Sequence, residues 1–275
     1  MISLVVATLN RVAELDRLLC SLDEQSYQDF EVVIVDQNPD TRVVPVLQRH
    51  SGLVIRHLRS ERGLSLSRNV GLRGLDGDIV AFPDDDCWYP KTLLSEVTAW
   101  FRSHSDPGFL ITGVRDENGR PGSSRLPTTR QPCTRSNVWS CAMSTALFLR
   151  RSVTNAVGGF DEHLGVGAPT AYQSGEEIDY VLRALAMGFR GTCEPALTVH
   201  HPPLASLDRL RRTTYSYALS TGRLQRRHRF APPWLAWHLL RSLGGAAIRL
   251  CQGDFARSRI YLLRGAGQLA GYLSD

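Results

Sequence analysis

The sequence predicts an α/β protein with a mostly parallel central sheet, helices on both of its faces, and a helical extension at the C-terminus. Two observations carry the first part. Short β-branched apolar runs alternate with amphipathic segments from the first residue onward. Strands separated by single helices pair in parallel and are covered on both sides. The third observation is a change of character near residue 206, where the chain becomes helical and basic, dividing it into residues 1–205 and 206–275.

ISLVVAT reads as the first strand. In VAELDRLLCSL, Leu15, Leu18, Leu19 and Leu22 recur at helical spacing, which gives that segment one face to lay on a sheet. FEVVIVD is the second strand, a polar stretch runs to Arg49, and LVIRHL is the third strand. SLSRNVGLRGL reads as a helix and DIVAF as a strand; PKTLLSEVTAWF is a helix with Pro90 in its first turn and Leu93, Leu94, Val97 and Phe101 on its buried face. Residues 116–134 are rich in Gly, Pro, Ser and Thr and predict a long loop, of the kind that often serves as a lid or binding loop. There follow a strand in CAMSTALFL, a short helix ending at Gly158 and Gly159, a Gly-rich loop from Leu164 to Ser174, a helix from about Glu176 to Met187, and a last strand ending at His200-His201-Pro202-Pro203. APPWLAWHLLRSLGGAAIRL and DFARSRIYLLRGAGQLAGYL read as amphipathic helices of the extension.

A hydrophobic content of 43% with 21% charged residues supplies one sizeable core and excludes a disordered chain. No basic leader or long apolar run precedes the first strand, so the expectation is a cytosolic protein. The six cysteines lie far apart without a C-x-x-C pair, which argues against a zinc site or a disulfide framework and predicts reduced, mostly buried thiols. The net charge of +5 conceals an asymmetry: residues 1–207 carry −4 and residues 208–275 carry +9. Such a tail is either a solvated basic face or a partner for anionic lipid or phosphate. Arg241 and Arg249 interrupt the apolar stretch, so neither tail helix offers the ~20 apolar residues of a membrane span. Arg on one side with Trp234, Trp237, Leu239, Leu240 and Leu243 on the other fits a helix lying in a bilayer interface, or one packed on the domain's own surface. The expected location is cytoplasmic, peripheral on the inner face of the cell membrane, with an anionic membrane surface as partner. Nucleic acid is not an expected partner, because the basic charge sits on apolar helices without interleaved base-stacking aromatics.

The string GDIVAFPDDDCWYP runs an apolar strand into Asp84, Asp85 and Asp86. Strand ends are where open α/β sheets bind ligands. Adjacent carboxylates repel, and a divalent cation with its preference for hard oxygen ligands relieves that repulsion. On an extended chain Asp84 and Asp86 share a side while Asp85 faces elsewhere. In SGEEIDYVLRALAMGF, Glu176, Glu177 and Asp179 stand at a helix start, where acids serve as caps or as a general base beside a metal-bound pyrophosphate. His200 and His201 close the last strand and offer one metal ligand. Asp36, ending VVIVD, stands where an acid after the second strand accepts hydrogen bonds from a nucleotide.

Six motifs, VVATLNR, VIVDQ, SLSRNVG, PDDDCWYP, VGGFDE and GEEIDYVLRAL, occur in the order and spacing of the family-2 glycosyltransferases. Over residues 2 to 203 the chain resembles that family, whose fold is GT-A, a Rossmann-like sheet domain. The resemblance implies an inverting transferase that moves a sugar from a nucleotide-sugar donor to a hydroxyl of a glycan or lipid-linked acceptor, with Mg²⁺ or Mn²⁺ at the donor's diphosphate. It implies that Thr8 and Asp36 hold base and ribose, that Arg68 supports the nucleotide, and that Asp84 contacts ribose or sugar. Asn10, Arg11 and Asp85 fall among its donor-binding positions, and Asp86 is its metal ligand, joined by His201 ahead of His200. The family's catalytic base is usually the Asp of a Glu-Asp pair; here the pair reads Glu176-Glu177, which puts Glu177 in the base position with one extra methylene. Trp139 sits where acceptor-side residues lie in similar enzymes and can stack on a sugar ring or belong to the core. A sugar nucleotidyltransferase would carry a Gly-rich basic phosphate loop after the first strand, where this chain reads ATLNRVAEL. A non-catalytic binding module would not need Asp86 and Glu177.

Overall fold

A computed structural model describes residues 1–122, 126–203 and 207–274. The expected boundary between residues 205 and 206 lies outside the described residues. The elements in order are β1 (Ile2–Thr8), α1 (Val12–Asp23), β2 (Phe30–Asp36), α2 (Val44–Arg49), β3 (Ile55–Arg59), α3 (Leu64–Gly71), β4 (Ile79–Ala81), α4 (Leu93–Ser103) and β5 (Phe109–Arg115). They continue with β6 (Gln131–Cys133), α5 (Val138–Cys141), β7 (Leu147–Arg150), α6 (Arg151–Val157), α7 (Glu176–Ala186) and β8 (Gly191–His200), and end with α8 (Leu207–Arg227), α9 (Pro232–Cys251) and α10 (Phe255–Leu273).

The strands form one sheet in the order β3-β2-β1-β4-β7-β5-β8-β6. β1 runs parallel to β2 and β4, β2 to β3, and β5 to β8; β7 is antiparallel to β4 and β5, and β6 to β8. Alternation along β1 splits the core into two layers. Ile2, Leu4 and Val6 pack with Leu15, Leu18, Leu19 and Leu22 of α1 and with Leu93, Leu94 and Val97 of α4. Val5 joins Val33, Val35, Phe82 and the α7 residues Tyr180, Val181 and Leu182 on the other face. The α/β architecture with a mostly parallel sheet is therefore as the sequence predicts.

Several details differ. The polar stretch before Arg49 contains α2, whose single buried apolar residue, Val46, leaves no periodic signature. The run CAMSTALFL is a strand only from Leu147; before it come the end of α5 and a 3₁₀ turn at Ser144–Ala146. Pro90 lies a turn ahead of α4, where its carbonyl accepts from Leu93 N–H at 3.0 Å. The long loop carries β6, which pairs antiparallel with β8. Cys133, Cys141 and Cys193, far apart in sequence, meet in one buried cluster, while Cys20 and Cys251 are exposed.

The extension begins with a long third helix, α8, which rests on the sheet domain. His228 Nε2 lies 2.9 Å from Asp179 Oδ1 of α7, and Arg227 pairs with Asp161. Gly175, the left-handed N-cap of α7 (φ 85°), faces Leu224, whose Cδ1 would stand 2.8 Å from an added Cβ. α10 crosses α8 at backbone contact: a Cβ on Gly271 would lie 1.9 Å from the Leu219 carbonyl oxygen, and one on Gly222 2.0 Å from that of Gln268. Within α9, Trp234 turns inward onto Phe230, with ring centroids 5.8 Å apart, rather than sharing the outer row with Trp237. Trp237, Leu240, Leu243, Ile248 and Leu250 are more than half exposed. No helix of the described residues is long and apolar enough to cross a membrane.

Candidate active site

The strand order reverses at β1, which is flanked by β2 on one side and β4 on the other, and a crevice at the carboxyl ends of such strands is where open α/β sheets bind ligands. A cavity of about 240 Å³ opens there, lined by Ala7 near the end of β1 and Leu9 just beyond it, Gln37 beyond β2, Asp84, Asp85 and Asp86 beyond β4, and His201 beyond β8. Arg11, Arg62 and Arg209 bring three guanidinium groups to its wall.

The three acids do not continue β4. The chain turns at Asp84, whose carbonyl accepts from Cys87 N–H at 3.1 Å, so strand alternation does not apply and Asp85 lines the cavity with its neighbours instead of facing elsewhere. The turn is braced from two sides. Arg17 donates to the Asp86 carbonyl at 2.7 Å and lies over the Trp88 ring at 4.2 Å. Trp88 exchanges backbone hydrogen bonds with His200 at 2.9 and 3.0 Å and stacks on its ring, which fixes the end of β8 against the turn. His200 therefore acts as a brace, and the next residue, His201, points into the acid cluster.

Mutual repulsion among the acids is relieved by different partners. Asp84 is held by Arg68 at 3.2 Å and Ser144 at 3.3 Å. Asp85 bonds Arg11 at 3.0 Å, yet burial pushes its carboxyl up to about 7 against that pull. For Asp86 burial acts in the same direction, but His201 and Arg11 outweigh it and hold the carboxyl at about 2. Arg11 touches both Asp85 and Asp86.

Asp84, Asp86 and His201 each offer a ligand atom within 4.8 Å of the others. His201 Nδ1 faces the Pro202 carbonyl at 2.7 Å. Donation there leaves Nε2 to face the acids. That atom stands 3.0 Å from Asp86 Oδ1, a buried oxygen without a well-formed hydrogen bond. Burial works against charge on His201, but Asp86 outweighs it and raises the affinity of the ring for its proton, so the contact is an ion pair; a divalent cation would take that proton's place, and one imidazole with two carboxylates suits Mn²⁺ or Mg²⁺. These residues therefore fit a divalent metal.

The other expected residues are placed as follows. Thr8 is buried at the end of β1, with its hydroxyl beside Asp85. Asn10 is in a left-handed conformation (φ 60°), and its side-chain oxygen accepts from Arg42 at 2.8 Å. Asp36 is fully buried and already surrounded by the Asn38 backbone and side chain, His57 and Arg59, so a nucleotide base reaching it would have to displace one of them. Arg68, 2% exposed, joins Asp84 to Glu176, which it meets at 2.9 Å. Glu176 is thereby committed to an ion pair. Glu177 has no ion pair of that kind among the described residues, and burial, with the charge of Glu176 next, pushes it up to about 8 against the pull of its own backbone N–H and of Arg68. Neither glutamate lines the cavity, and Trp139 does not reach it; its ring meets Phe230 edge-on at 5.4 Å, joining the core to the extension. Gln37, Arg62 and Arg209 were not anticipated. Gln37 adjoins the acid that ends β2, and that adjacency is a usable signal, whereas nothing near Arg62 or Arg209 in sequence distinguishes them from other surface arginines.

An open sheet with an acid-lined crevice at its switch point defines a GT-A-type domain, and the overall likenesses agree. The mannosyltransferase PcManGT from Pyrobaculum calidifontis, solved with GDP-Man and Mn²⁺, matches over 98% of this chain and 86% of its own at a TM-score of 0.68 and 17% identity. Staphylococcus aureus TarS 1–349, solved with UDP-GlcNAc, matches over 98% of this chain and 89% of its own at a TM-score of 0.63 and 19% identity. The profile of Glycosyl transferase family 2 matches residues 3–158, more than half of the chain, and the chain belongs to that family. An uncharacterized glycosyltransferase of Haemophilus influenzae is 39% identical over 194 residues, a match that covers 67% of this chain and 62% of that protein.

Proposed function

We propose that the chain transfers a glycosyl group from a nucleotide-sugar donor to a hydroxyl of a glycan or lipid-linked acceptor, with inversion at the anomeric carbon. The observation that carries this reading is the cavity at the sheet's switch point, where the possible ligand atoms of Asp84, Asp86 and His201 meet three guanidinium groups. That combination suits a diphosphate with its counter-cation. The solved neighbours bind GDP-Man with Mn²⁺ and UDP-GlcNAc, which supports a donor of this class. Asp84, Asp86 and His201 would hold Mg²⁺ or Mn²⁺. When bound, the cation supplies countercharge to the departing diphosphate.

Arg11, Arg62 and Arg209 would bind the phosphate oxygens, and Asp84, fixed by Arg68 and Ser144, would orient the ribose or sugar. Glu177, once ionised, accepts the proton of the acceptor hydroxyl. The hydroxyl oxygen then bonds to the anomeric carbon, the bond from that carbon to phosphate breaks, and its electron pair leaves with the nucleoside diphosphate. Inversion requires attack opposite the leaving group. A base set back from the diphosphate cavity, joined to it through Glu176, Arg68 and Asp84, is compatible with that requirement.

Kinetics with purified variants test the reading. Glu177→Gln is expected to lose turnover by about 10² to 10⁴ while still binding donor, Glu176→Gln to be milder, and Asp86→Ala to lose metal-dependent donor binding. Normal turnover by Glu177→Gln with a dead Glu176→Gln would reassign the base, and metal-dependent turnover unchanged in Asp86→Ala would remove the metal site.

The location proposed is cytoplasmic and peripheral on the membrane. The exposed apolar row of α9 within a segment carrying +9 supports contact with anionic lipid. The arginine contributed to the cavity by α8 supports treating residues 206–275 as a partner of the sheet domain and not as an independent unit.

A further inference from the structure

We propose that Asp16, Cys20 and His50 form a second metal site, separate from the donor cavity and selective for Zn²⁺-type cations. None of the three lines that cavity. Leu15, Leu18, Leu19 and Leu22 turn one face of α1 into the core, which leaves Asp16 and Cys20 together on another, one helical turn apart. His50, the C-cap of α2, closes over that face and is 6% exposed. Each of the three offers one ligand atom, and all these atoms lie within 4.8 Å of one another.

The surroundings match how proteins hold zinc. A ligating histidine usually gives its second ring nitrogen to a carboxylate, which fixes the ring. Here Nε2 stands 2.9 Å from Asp16 Oδ1, while Nδ1 is bonded to Asp23. Arg49 holds the other oxygen of Asp16 at 2.9 Å, so Oδ1 stays turned to the site. Cys20 is exposed, which leaves a fourth, tetrahedral position for water. One sulfur, one nitrogen and one oxygen favour Zn²⁺ or Co²⁺ over Mg²⁺ and Mn²⁺, whereas the cluster of two carboxylates and one imidazole in the donor cavity has the opposite preference. Binding releases the Cys20 thiol proton and the Nε2 proton of the clamped ring. The bound ion would staple α1 to α2 on the outer face of the sheet. A plain ion-pair clamp accounts for Asp16, Asp23 and His50 but gives Cys20 no part.

The test uses the full-length chain freed of metal with a chelator and titrated with Co²⁺. The expected result is a thiolate-to-cobalt charge-transfer band that saturates at one equivalent, is erased by Zn²⁺, and persists in excess Mg²⁺. The band should disappear in Cys20→Ser and persist in Cys251→Ser and in Asp86→Asn, and Asp23→Asn should weaken binding by about 10- to 100-fold. Circular dichroism of Cys20→Ser checks that this exposed substitution leaves the fold intact. Absence of the band from the wild-type protein, or its survival in Cys20→Ser, overturns the proposal; survival would instead assign the cobalt to the buried thiols Cys133, Cys141 and Cys193.

Discussion

At the scale of single residues, the adjacent glutamates of α7 differ in what surrounds them. Glu176 is tied to Arg68, whereas burial and its neighbour's charge dominate at Glu177, and its carboxyl rises to about 8 from the 4.5 of a free glutamate. A base must be ionised to act, so kcat/KM is expected to fall as pH drops below about 8. Glu176→Gln removes the like charge, makes ionisation of Glu177 easier, and should move that acid limb to lower pH; a limb that stays in place means another group titrates. Stability has a matching sign. A carboxyl raised on folding favours the folded state fully below its unfolded value and loses that contribution as pH rises through the folded one. Glu177→Gln should therefore raise Tm most at pH 8 and above and leave it nearly unchanged near pH 4, as thermal melts at both ends would show.

At the scale of elements, what could be read in advance was whatever a short window contains. β1, β2 and α1 were legible because most of their buried positions are apolar, and the acids after β4 were legible because an apolar run leads into them. α2 was not, since one buried valine makes no pattern, nor was the pairing of β6 with β8, which is set across the sheet. The ion pair of Arg68 with Glu176 spans 108 residues, and no local string reports it. The crossing of α8 and α10 is another long-range fact, written in glycines that sequence reading passes over. Gly271→Ala would place a methyl group 1.9 Å from the Leu219 carbonyl oxygen. Overpacking of this kind costs about 1–3 kcal/mol, so a lowered denaturation midpoint is expected, and an unchanged one would mean that the helices part easily.

At the scale of the whole molecule, the basic tail and the apolar row on α9 act together or not at all. Full-length protein is expected to float with anionic vesicles and not with zwitterionic ones, and to release as salt shortens the Debye length below about 10 Å. Replacing Trp237, Leu240 and Leu243 with serine should abolish flotation without disturbing the inward-facing Trp234; truncation is a poorer test, because α8 and the turn after it pack on α7 through Arg227 and His228. Wild-type protein that stays at the bottom in anionic vesicles would leave the α9 row without a lipid role. The arginine that α8 lends to the cavity has a further consequence. A ligand of the cavity and a ligand of the tail each select among positions of the same helix, so their affinities are thermodynamically linked, and the factor by which one changes the other is reciprocal. Whatever surface holds the extension thereby also sets how firmly the donor is held, and a filled cavity in turn sets how long the protein stays on that surface.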